Sequence, residues 1–123
     1  MPNTYPRTPP ASRRFITAII ADVSTAGQIY VSPGFRGKII KASSALNGAI
    51  TGANSILTLK IGGTAVTGGT MTITQSGSAA GDVDACLPTA LATFATDQAI
   101  EIETDGGSTG TIAVTITLEV EPV

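Results

Sequence analysis

The last stretch of the chain constrains the fold most. Ile112, Val114, Ile116, Leu118 and Val120 fall on one side of an extended backbone, and Ala113, Thr115, Thr117, Glu119 and Glu121 on the other. Side chains of a β-strand point alternately to its two faces, so a sustained period of two marks a strand with one buried face. Shorter copies of the pattern occur at Ile29 and Val31, at Leu57, Leu59 and Ile61, at Met71 and Ile73, and at Ile100 and Ile102. With Phe15 to Ala21 and Lys38 to Leu46 they make seven or eight predicted strands.

Turn residues separate these segments. Ser32-Pro33-Gly34, Asn47-Gly48, Gly62-Gly63, Gly68-Gly69 and Asp105-Gly106-Gly107 supply the positive φ angles that tight hairpins need. Short strands spaced in this way predict a single antiparallel β-sandwich, jelly-roll-like, because two sheets must face each other to cover both apolar faces. A closed barrel is the alternative arrangement. Gly, Ala, Ser and Thr make up almost half of the chain, there are five aromatic residues and there is no Trp. Such a core is thin and close-packed, and a helical bundle is excluded. The one helical hint is Pro88 to Ala95, where Leu91, Phe94 and Ala95 share a face after Pro88 opens the turn. Gly62-Gly63-Thr64 recurs as Gly68-Gly69-Thr70, which predicts a short strand at Ala65 to Thr67 between the two pairs and no solenoid.

A chain of 123 residues suits one domain. It contains no apolar run of about 18 residues, so it is read as soluble and without a membrane partner. Ser12-Arg13-Arg14-Phe15-Ile16 superficially matches an export signal, yet the apolar stretch that follows carries Thr17 and stops at Asp22. It reads as a first strand. Residues 1–14 differ in kind: Pro2, Pro6, Pro9 and Pro10 forbid a helix, and Arg7, Arg13 and Arg14 make the segment positive. The expected organisation is an extended arm over 1–14 and a sandwich over 15–123. Tyr5, Arg7, Arg13 and Arg14 are the candidate partner-binding residues, since guanidinium groups suit a carboxylate-bearing surface.

The chain is poor in chemistry. Histidine is absent and Cys86 is the one cysteine. That removes histidine-activated nucleophiles, every histidine-containing zinc site and any cysteine-only site. Cys86 is expected to be a small buried apolar residue. Asp82 with Asp84, or Asp105 beside Gly106, could serve a carboxylate pair or a calcium ion, but neither matches the spacing of a calcium loop, and they are read as turn formers. No catalytic, cofactor-binding or metal-binding residue is predicted, and the chain is read as a non-enzyme.

Charge is distributed unevenly. All seven Lys and Arg lie within residues 1–60, whereas eight of the nine acids lie beyond. Unless the fold mixes the two halves, complementary patches result, which favours self-association or an acidic partner. The net charge of −2 and a sequence pI near 4.8 argue against nucleic acid.

Ile19-Ile20-Ala21-Asp22, Tyr30-Val31-Ser32-Pro33-Gly34, Lys38-Ile39-Ile40-Lys41-Ala42 and Ala99-Ile100-Glu101-Ile102-Glu103-Thr104-Asp105-Gly106-Gly107, leading into the last alternating strand, resemble the small decoration (cement) proteins of tailed bacteriophage capsids. The resemblance implies a jelly-roll-like homotrimer seated on the exterior of the virion. It would bind the major capsid protein and cement the shell after synthesis in the host cytoplasm. A tail-fibre or surface-adhesion module binding glycans or another virion protein is the alternative, and a small carboxylate hydrolase a third reading.

Overall fold

The computed structural model describes residues 13–123, and among them there are nine strands and no helix. The strands are β1 (Arg14–Ile20), β2 (Gly27–Val31), β3 (Gly37–Leu46), β4 (Ser55–Ile61), β5 (Thr64–Ile73), β6 (Val83–Cys86), β7 (Thr93–Phe94), β8 (Ile100–Thr104) and β9 (Val114–Pro122). One sheet has the order β1-β9-β3-β6, with β7 also paired to β3; the other has the order β2-β8-β4-β5. Every pairing is antiparallel. The pairs β1–β9, β2–β8, β3–β6 and β4–β5 are the successive rungs of one long ribbon wound over itself, which is a jelly roll.

The period-two pattern of the sequence becomes the core. Val114, Ile116, Leu118 and Val120 of β9 join Leu57, Leu59, Ile100 and Ile102 of the facing sheet in one buried cluster. In β3 the alternation would place Lys41 inward with Ile39, and a β-bulge between Ile39 and Lys41 prevents this. The extra residue shifts the phase, so Ile39 and Ala42 are both buried while Lys38 and Lys41 remain exposed. Two buried hydroxyl contacts tie connections to strands: Ser55 Oγ donates to Ser108 Oγ (2.8 Å) and Thr104 Oγ1 to the carbonyl of Val23 (3.0 Å).

Three local expectations are corrected. Of the five predicted turns, only Gly62-Gly63 closes a hairpin, between β4 and β5, with φ of 62° and 81°. Ser32-Pro33-Gly34, Asn47-Gly48 and Asp105-Gly106-Gly107 instead carry the chain between sheets, as a wound ribbon requires. The second glycine pair, Gly68-Gly69, does not bound a strand. It lies inside β5, where residues between Ala65 and Thr70 bulge out opposite Leu59. Pro88 to Ala95 is not helical: the carbonyls of Ala90 and Ala92 accept from the amides of Thr67 and Ile39, each at 3.0 Å, and Leu91 is left-handed (φ 56°). Those bonds to distant strands outweigh a weak local helix preference.

Candidate docking surface

The aspartates flagged in the sequence do not converge. Asp82 accepts from the amide of Ala79 (2.9 Å), and Asp105 accepts from the amides of Ile56 and Gly107 (both 2.9 Å), so these two hold turns. Asp84 is not a turn former; it sits on β6 opposite Ser44. Among the described residues no group of three or more His, Cys, Asp or Glu is placed to hold a metal. Cys86 is buried on β6, and that burial pushes its thiol above the usual range against a smaller opposing effect from the Ala42 backbone.

Asp84 lies on the inward side of β6, beside Ser44, whose buried hydroxyl has no hydrogen-bond partner among the described residues. Burial first, and the Asp82 charge second, raise the Asp84 carboxyl above the ordinary range. The folded state then favours the protonated form, so stability falls as pH rises from the unfolded carboxylate value through the raised folded one. Asp84→Asn is expected to raise the melting temperature at about pH 7 and to leave it unchanged at about pH 3. An equal change at both pH values would rule out the charge as the cause.

The charge asymmetry along the chain does not survive folding. The winding that makes the jelly roll sets the basic half against the acidic half: Lys38 faces Glu121, Lys41 faces Glu119 and Lys60 faces Glu101 across the strands. Arg13 pairs with Glu119 and lies 3.7 Å from Glu121, and Lys60 Nζ lies 3.0 Å from Glu103. Large complementary patches are thus replaced by small local pairs. Of the candidate arm residues, Arg13 is used inside the domain, and Arg14 opens β1 with its guanidinium 4.9 Å from the centre of the Phe35 ring. Tyr5 and Arg7 lie outside the described residues.

The two outward faces of the sandwich differ. On the second sheet, the row Tyr30-Glu101-Lys60 and the neighbouring pair Glu103 and Thr58 place charge across the middle. On the first sheet Lys38, Lys41, Glu119, Glu121 and Arg13 gather at one end of the face, and the two adjacent rows beyond them carry no charge: Thr17-Thr117-Ser43-Ala85 and Ile19-Thr115-Ala45-Val83. The large side chains lie at the margins, where Phe15, Ile19, Val83 and Leu87 are between 62% and 66% exposed. The centre is Thr, Ser and Ala.

No protein-family model matches this chain, and no curated protein matches it either. The surface is therefore characterised by its own chemistry. Two uncharged rows of short side chains lack the concavity that encloses a small molecule. Short side chains lose little rotamer freedom on contact, and the apolar margin supplies area to bury. The arrangement suits a broad macromolecular surface. Sequence patterning places Thr115 and Thr117 on the outward side of the last strand but not beside Thr17, Ser43, Ala45 and Ala85, because their juxtaposition depends on register between distant strands. The signal is present in Thr115 and Thr117, the two outward positions of the last strand that are polar and uncharged, ahead of Glu119 and Glu121.

Proposed function

We propose that this chain is a structural virion protein that binds the exterior of a phage capsid through the outward face of its β1-β9-β3-β6 sheet and stabilises the shell. The observation that carries the reading is that face, uncharged over two full rows and rimmed by four exposed apolar side chains. The resemblance in the strand and turn sequences supports it, as does the jelly-roll winding, which recurs in viral coat and lectin domains. The partner is the major capsid protein, and the chain acts as a homo-oligomer.

The mechanism is linkage. A protein that binds only the assembled lattice stabilises it by its binding free energy, about 2.7 kcal/mol per site when free protein is at about 100 times its Kd. Many sites on one shell act together, so modest affinity at each site suffices. Co-sedimentation of the purified chain with shells assembled from the phage's major capsid protein tests this. Saturable binding and a raised shell disruption temperature are expected; shells that neither bind nor gain stability would refute the reading.

One observation favours adhesion as a second reading. Tyr30, 60% exposed, borders an open cleft of about 460 Å³ with Asp97, Gln98 and Glu101, and an aromatic face beside carboxylates and an amide suits a sugar ring. Selective retention on a glycan array that is lost in Tyr30→Ala would transfer the function to this cleft.

A further inference from the structure

The four sheet edges are not equally guarded. Beyond β3, the first sheet ends in β6 and β7, strands of four and two residues. In the second sheet β2 has five residues, and β5 is interrupted by its bulge and covered by the segment that bonds Thr67 to Thr89 and Ala90. Shortness, bulges and cover are the devices by which natural sheets avoid pairing with other chains. Among the described residues the remaining edge, β1, has none of them. Its seven residues keep an unbroken register with β9, and its other side pairs with no strand among the described residues. From Phe15 to Ile20 it contains no proline and no charge.

We propose that β1 is an assembly edge at which a second copy of this chain pairs antiparallel, about a two-fold axis through Thr17, joining the two five-stranded sheets into one. The register is self-complementary. Phe15 falls opposite Ile19 of the second copy on the outward face, apolar against apolar, and half-buried Ile16 falls opposite Ala18 of the second copy on the inward face, large against small. Side chains directly opposite on one face are close enough to pack.

Charge selects the antiparallel direction. Arg14 opens the edge and Asp22 lies two residues past its other end. Antiparallel pairing brings each Arg14 opposite Ile20 of the other copy, next to that copy's Asp22 corner. Parallel pairing would place Arg14 against Arg14, a like-charge contact. The Asp22 carboxylate is fixed there by Ser24 and Thr25, whose hydrogen bonds hold its carboxyl below the usual range. Pairing also moves Phe15 and Ile19 from the margin of one outward face to the centre of a joined one.

This inference rests on the edge alone and is independent of the capsid reading. A two-fold pair makes a dimer, whereas the resemblance to decoration proteins implies a trimer, so one measurement separates them. Light scattering during size exclusion should give a concentration-dependent dimer of the full chain. In a Cys86→Ala background, Thr17→Cys should form a disulfide-linked dimer under mild oxidation at least about tenfold faster than Thr72→Cys on the outward face of β5, because only position 17 meets its own copy on the axis. Ile19→Lys, at an exposed position, should weaken the dimer by about tenfold or more without lowering the melting temperature of the monomer, read at concentrations where both proteins are monomeric. A monomer at every concentration, a trimer, or equal oxidation at positions 17 and 72 would each overturn the proposal.

Discussion

Phe94→Ala is expected to lower the free energy of unfolding by about 3–5 kcal/mol, read by urea denaturation at neutral pH. Phe94 is fully buried although it stands on a strand of only two residues. Its ring meets Phe35 edge-on, with centroids 5.8 Å apart at 65°, a geometry worth about 0.5–1.5 kcal/mol beyond area burial. Relaxation into the vacated space is limited. Gly37 is held between Phe94 of β7 and Pro122 of β9, and a Cβ there would lie 2.6 Å from the Glu121 carbonyl and 2.9 Å from the Phe94 ring. The backbone already approaches the ring as closely as glycine allows, so the cavity stays open. Domains of this kind have about 5–15 kcal/mol to lose, so the variant should fold but be marginal. A loss below about 1 kcal/mol would mean that this end of the sandwich collapses to fill the site.

Legibility in the sequence followed how local each determinant is. The alternation of β9 and the apolar positions of β4 and β8 were readable because burial on one face of a strand needs no knowledge of the partner strand. Gly62-Gly63 was readable because a two-residue hairpin demands positive φ at both positions. The other turns read as hairpins in the sequence because glycine signals a reversal without specifying whether the next strand joins the same sheet. The region around Ala90 to Phe94 failed differently. Its carbonyls are committed to Thr67 and Ile39, more than twenty and fifty residues away in sequence, and no local pattern encodes that. The charge argument inverted for the same reason. An acidic second half and a basic first half form long-range patches only when the halves stay apart, and the β1–β9 and β4–β8 rungs bring them together. The outward face remained hidden because it is defined by register across β1, β9, β3 and β6, segments drawn from both ends and the middle of the chain.

Thr117→Arg is expected to weaken binding to assembled shells by about 100-fold or more, equivalent to about 2.7 kcal/mol, since truncations and intrusions at the centre of an interface have the largest effects. Thr117 stands on one of the two inner strands of its sheet, between Thr17 and Ser43 in register, so a long charged side chain there would hold a flat partner away from the whole face. The change points outward from the core, and the unfolding free energy should stay within about 0.5 kcal/mol. Thr72→Arg on the outward face of β5 adds the same charge and bulk to the opposite side of the sandwich, and should leave shell binding within about threefold. The pair of variants separates contact from charge. If both weaken binding equally, general electrostatics accounts for the loss; if neither does, the shell is met by another surface. Loss in Thr117→Arg alone would locate the contact on the face where eight neighbouring positions carry no charge, which is the property that makes that face suited to docking.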